Sequence, residues 1–261
     1  MTLKMTLQGG LIYLTLLFFL ATLVAHRFNR KSLRRGFWAA AFVAAVTSLT
    51  WRGLHTGHPP MQNLFEFFLC MAASLWPLSQ WSRWKNGIDT ETRDALLGIV
   101  ILFPAGFILS EDVRRLPPAL QCPLFIPHVA SYVAGYVMLA RASLLALPLL
   151  RKDVEGGALR AADVAVRQTA AAGFVLLTAG LLLGAMWGKI CWGNYWHFDP
   201  KEMWSLATWL MYGGYFHYRL KHGLRMHRAT TVLLWLGLLF VVLTLTWINL
   251  SRLFSGLHNY A

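Results

Sequence analysis

Apolar residues along this chain come in long runs rather than in alternation. Eight of the runs are long enough to read as helices that cross a membrane. They fall at about 8–26, 37–53, 63–80, 95–110, 124–147, 168–188, 202–219 and 229–249. Charged residues collect in the short stretches between them. No period of 20 to 50 residues repeats and no low-complexity tract is present. The pattern predicts an all-α fold, a polytopic membrane helix bundle of about eight transmembrane helices, forming a single integral membrane domain over 1–261.

Composition strengthens this picture. Of 261 residues, 57% are hydrophobic and only 13% are charged, against about 25% charged in a soluble domain. The formal net charge of +13 is open to two readings, a nucleic-acid or acidic partner or a membrane protein with basic loops on one side. The distribution decides. The loops after spans 1, 3, 5 and 7 hold 16 of the 24 Lys and Arg residues. The opposite side holds 7, and Arg141 lies within span 5. Basic loops stay on the cytoplasmic side, so both termini are expected on the outer face, and nucleic acid is not an expected partner. The first run is followed by Arg27, Arg30, Lys31, Arg34 and Arg35, the reverse of a cleaved signal, and reads as a retained helix.

The cysteines are Cys70, Cys122 and Cys191, with no C-x-x-C pair and no C-x-x-C-H motif. The chain is therefore not itself a c-type cytochrome. Cys122 and Cys191 fall in expected outer loops, where either a disulfide or two unpaired thiols is possible.

One outer segment stands apart. Residues 187–204 contain Trp187, Trp192, Trp196 and Trp204. An aromatic belt at the membrane surface explains some of these rings. The alternative is a platform for a flat apolar ligand with polar edges, stacked on aromatic faces. At its end Asp199 suits an N-cap, Pro200 the first helical position and Glu202 the third, a capping box that starts span 7. Capping alone explains Asp199 and Glu202, and a capped turn also fixes the loop.

Of nine histidines, the topology puts His55, His58, His128, His197 and His258 outside. His128 follows Pro127 at the outer start of span 5, and His258 lies about ten residues beyond span 8. Ten residues reach about 33 Å, so both histidines can meet the Trp-rich segment as a bis-His heme site. His217 cannot, because 18 residues of span 7 carry it about 27 Å inward. It is either an intramembrane functional residue or an interfacial one beside Tyr215, Tyr218 and Arg219.

The run Trp192-Gly-x-x-Trp196-x-Phe198-Asp199-Pro-Lys-Glu202-x-Trp204 resembles the WWD signature of heme-handling proteins. With Thr208-Trp209-Leu210, Tyr212 and His217-x-Arg219 it resembles the CcsA/ResC branch of that family. Gly57-His-Pro-Pro60, Asn63-Leu-x-Glu66, His128-Val129 and Leu257-His-Asn-Tyr260 resemble it too. Phe198 stands where the family often has Trp. The resemblance implies a bacterial inner-membrane protein with the WWD loop on the periplasmic side, acting in a holocytochrome c synthase. It implies that heme b enters from the cytoplasm and is presented outside for attachment to apocytochrome c C-x-x-C-H motifs. It implies that His128 and His258 are axial ligands of the outer heme. By the same resemblance His217 is a transmembrane heme ligand whose companion lies on a CcsB/ResB-type subunit. The Trp-rich segment with Asp199 would hold the heme. CcmC-type delivery to a heme chaperone and a paralogue regulating heme synthesis are the alternatives.

Overall fold

A computed structural model describes residues 3–150, 156–223 and 227–247. Among them regular structure is helical, with no strand. The helices are α1 (Leu7–Arg27), α2 (Lys31–Thr56), α3 (Leu64–Asn86), α4 (Glu91–Phe107), α5 (Phe125–Ala146), α6 (Gly156–Trp192), α7 (Pro200–His222) and α8 (His227–Val242). A π turn over Leu243–Trp247 continues α8. Each of the eight expected spans is thus a helix, and the protein is a helical membrane bundle. Among the described residues, five helices are both long and apolar enough to cross a membrane: α1, α2, α5 with its continuation to Leu150, α6, and α8 extended to Thr246.

The chain forms two compact units, Met1–Leu120 and Gln121–Ala261. In the first, α1 packs on α2 and α4, and α4 packs on α3. Its core includes Ile12, Phe19, Trp38, Leu75 and Leu102, all nearly inaccessible. Phe19 and Trp38 meet at 5.7 Å between ring centroids. Arg34 and Arg83 pair with Asp89 and Glu91 at one end of this unit.

The motif from Gly57 to Glu66 is resolved here as scaffold. Asn63 caps α3 by accepting the Glu66 amide at 3.0 Å. The Glu66 carboxylate accepts from the Gln62 amide at 2.8 Å and from Arg52 Nε at 2.9 Å. The same guanidinium donates to the carbonyls of Glu111 (2.6 Å) and Asp112 (3.1 Å). Arg52 and Glu66 are 3% and 1% exposed. One buried ion pair therefore ties the end of α2, the start of α3 and the segment after α4. Glu66→Ala is expected to lower stability by about 3–5 kcal/mol, because a buried guanidinium loses its countercharge. Replacing both partners, as Arg52→Met with Glu66→Leu, should recover most of that loss. Thermal unfolding of the purified variants checks this, and equal melting temperatures for wild type and Glu66→Ala would contradict it.

In the second unit α5 packs closely on α6. The contact is built on glycines. A Cβ at Gly173 would lie 2.8 Å from Leu139, and one at Gly180 would lie 2.8 Å from the Tyr132 ring. Small residues at such positions let helix backbones approach. α7 packs on α8, where Gly237 receives the Tyr212 ring in the same manner. Trp209 Nε1 donates to Thr178 Oγ1 at 2.9 Å, joining α7 to α6.

Candidate functional site

The expected outer loop is shorter than its sequence suggested, because α6 runs on to Trp192. Trp187 is a buried helical residue, 2% exposed, and not a loop residue. Gly193 then ends the helix in the left-handed region at φ 87°, and its amide bonds the Lys189 carbonyl at 3.1 Å. Glycine takes that conformation without steric cost. The Lys189 ammonium donates back to the Gly193 carbonyl at 2.7 Å.

Trp187 is the centre of an aromatic cluster. His128 stacks on it at 5.6 Å and 24° between planes. Phe125 of α5 lies at 5.9 Å, and Trp192 meets it edge-on at 4.7 Å. His197 in turn meets Trp192 edge-on at 5.9 Å and 88°. Such tilted and stacked pairs are the favoured arrangements of aromatic quadrupoles.

The setting of His128 is chemically specific. Its Nδ1 lies 2.8 Å from the Gly180 carbonyl oxygen, which can only accept, so Nδ1 carries the proton. The lone pair is then on Nε2, the tautomer of a metal-binding imidazole whose other nitrogen is held by a carbonyl. The ring rests on bare backbone: a Cβ on Gly184 would be 2.5 Å from His128 Cε1 and 2.8 Å from Nδ1. Tyr132 meets the same ring edge-on at 5.1 Å. Gly180, Gly184 and Gly188 recur at four-residue spacing. That helical glycine stripe is the sequence signal for this packing.

The turn from Gly193 to Asp199 is clamped by Glu202. Its Oε2 accepts from the His197 amide at 2.8 Å and from the Asp199 amide at 3.3 Å. Asp199 Oδ1 accepts from the Lys201 amide at 2.8 Å, so the expected capping box forms. Between the clamped amides Phe198 sits at φ 57° and is 75% exposed. That conformation costs a non-glycine residue about 1–3 kcal/mol. Glu202 therefore does more than cap α7: it stabilises a strained turn that turns an aromatic ring outward. Trp196, in the same turn, is half-buried.

Other expected site residues are placed elsewhere. Trp204, on α7, packs against Phe240 of α8 at 5.6 Å. His217 lies on the exposed side of α7, in a stripe with Met203, Leu210, Gly214 and Lys221. His258 lies outside the described residues. Cys122 and Cys191 are neighbours and are not joined in a disulfide.

A model of the cytochrome C assembly protein family matches residues 61–258, which takes in α3 to α8 and every site residue named above. Relatives called cytochrome c biogenesis protein CcsA match over nearly all of the chain. One from Synechococcus sp. (strain CC9605) is 30% identical over 97% of this chain and 94% of its own length. One from Prochlorococcus marinus (strain MIT 9515) is 30% identical over 97% and 92%. A third, from Synechococcus sp. (strain CC9311), is 31% identical over 85% and 86%. With the match to the family model covering three quarters of its length, this membrane-embedded chain belongs to the cytochrome c assembly protein family.

Proposed function

We propose that this protein presents heme b at the outer face of the membrane for covalent attachment to apocytochrome c. Family membership gives the coarser role, cytochrome c maturation. The observation that carries the finer reading is the setting of His128. A ring whose Nδ1 is held by the Gly180 carbonyl and whose face is stacked on Trp187 is a pre-oriented iron ligand. Trp187 is buried behind the His128 ring and backs it, half-buried Trp192 offers a ring for a porphyrin, and the outward Phe198 extends the apolar surface. His258 is the proposed second axial ligand.

The chemistry asked of the protein is placement. A thiol of the C-x-x-C-H motif adds across a heme vinyl group. A carbon–sulfur bond forms at the inner vinyl carbon, the thiol hydrogen ends on the outer carbon, and nothing leaves. Holding the iron fixes where the vinyls lie, so a slow encounter becomes a local reaction. His217, exposed on α7, is the proposed transmembrane ligand, completed by a histidine of a CcsB/ResB-type subunit seated along that helix. An exposed imidazole in a lipid-facing stripe is costly to leave in hydrocarbon, which favours a protein neighbour there. In this reading heme enters from the cytoplasm, and both termini and the Trp-rich turn face the periplasm of a bacterial inner membrane.

The test uses the chain expressed with its partner subunit and a reporter cytochrome c. His128→Gly is expected to insert at normal level, to abolish reporter maturation and to regain part of it with added imidazole, which refills the vacated position. Normal maturation by His128→Gly without imidazole would overturn the assignment.

A further inference from the structure

The first unit carries a groove of about 600 Å³ that heme handling does not use. It runs between α1 and α2. Leu17, Leu20 and Val24 of α1 and Phe28 at its C-cap line one side, and Leu33 and Phe37 line it from α2. Four of these, Leu17, Leu20, Val24 and Phe28, are between 48% and 69% exposed. From Leu17 to Phe28 the helix rises about 16 Å, close to the ~15 Å depth of one leaflet's hydrocarbon.

The polar end of the groove is basic. Arg30 lines it, and Arg27 and Lys31 flank it in the α1–α2 turn. All three are exposed, and none of them is in an ion pair among the described residues. Arg34 differs, since Asp89 and Glu91 already hold it. The start of α2 adds to the positive field. Its first turn has no acidic residue, and Arg30 at the N-cap makes no side-chain cap bond, so no side chain of this turn opposes the positive end of the helix dipole. Asn29, at φ 55°, folds the turn so that Arg27, Arg30 and Lys31 lie within four residues of one another at that end.

We propose that this groove binds one anionic phospholipid, with its phosphate against Arg27, Arg30 and Lys31 and an acyl chain along α1. Charge complementarity selects the headgroup, and the length of the groove matches a chain lying parallel to α1 within a single leaflet. A free inorganic phosphate would use the basic end and leave the apolar wall without a role.

The purified chain, with its partner subunit if the two co-purify, is delipidated in mild detergent. It is then titrated with phosphatidylglycerol, phosphatidylcholine or inorganic phosphate and read by native mass spectrometry. Wild type is expected to retain phosphatidylglycerol well above phosphatidylcholine and to retain no phosphate alone. Each of Arg27→Gln, Arg30→Gln and Lys31→Gln should reduce that preference by about fivefold. Ala21→Phe, which fills the groove, should reduce retention of both lipids without touching the basic end. A matched control, Arg114→Gln with Arg115→Gln, removes exposed charge elsewhere and should change nothing. Equal retention of the two lipids, retention of phosphate alone, or a preference that survives the three glutamine substitutions would overturn the proposal. These outcomes are independent of heme content, so they stand or fall separately from the heme reading.

Discussion

Gly184→Ala is expected to abolish cytochrome c maturation nearly as completely as loss of His128, in protein that still folds and inserts. The added methyl would sit 2.5 Å from His128 Cε1 and 2.8 Å from Nδ1, inside contact distance for any pair of heavy atoms. Either the ring moves or α5 and α6 separate. The ring has little room, because Trp187 stacks on it and Tyr132 packs against it edge-on. A shift also breaks the bond from Nδ1 to the Gly180 carbonyl, which fixes the tautomer. Displacing a ligand by about 1 Å can cost on the order of a hundredfold in rate, and the reporter should mature by roughly that factor less. Helix stability does not oppose the substitution, since alanine favours a helix over glycine by about 1 kcal/mol. Gly36→Ala, with nothing within 4 Å of its Cβ, is the control and should be silent. The measurements are membrane level, reporter maturation and the absorption spectrum of bound heme. Wild-type maturation and an unchanged spectrum in Gly184→Ala would show that the ring position does not matter.

The eight helices were legible because each apolar run is long and is bounded by charge, turn residues or caps. Asp199 was readable as a cap from residue type and spacing, and its side chain caps as that pattern requires; the cap that Asn63 makes on α3 was not read from the sequence. The end of α6 was not legible. Hydropathy falls after about residue 188, where Gly188 and Lys189 interrupt the apolar run. The helix nevertheless continues, since the packing of Trp187 on Phe125 and His128 outweighs the local loss of apolar residues. Tertiary contact overrides local pattern in such cases.

The candidate site was readable in its parts and not in its assembly. His128 and the tryptophans stand out as residue types, but nothing in their spacing says that His128 stacks on Trp187 and not on Trp196 or Trp204. That pairing depends on the register of α5 against α6, which the glycines at 173, 180 and 184 set. The role of Glu202 was only half legible. A capping box is a sequence pattern, whereas the second amide that Glu202 holds, from His197, comes from the left-handed turn at Phe198. Gly57 to Glu66 resembled the family's sequence, and what the sequence did not show is that Glu66 anchors a buried ion pair there.

His217→Ala is expected to leave the purified complex with little heme, whereas Trp192→Ala should keep heme and alter its spectrum. The contrast follows from where the two residues sit. Trp192 ends α6 and belongs to the cluster around Trp187, so its loss changes the surroundings of heme that has already arrived. His217 stands 17 residues into α7, about 26 Å along the helix, and in the proposed path it acts before heme reaches the outer turn. Its exposure, in a stripe with Leu210 and Gly214, means that removing it leaves no cavity in the core and should cost little stability. Depletion of heme in a stable His217→Ala complex would therefore reflect a lost ligand and not a damaged fold. Asp199→Ala supplies the comparison for a purely structural effect. A lost cap costs about 1 kcal/mol, which should lower the melting temperature with heme content preserved if Asp199 only caps. Heme content is measured per complex, alongside the absorption spectrum and the melting temperature. Full heme content with wild-type spectra in both His217→Ala and Trp192→Ala would sink the proposed path from a membrane site to an outer one.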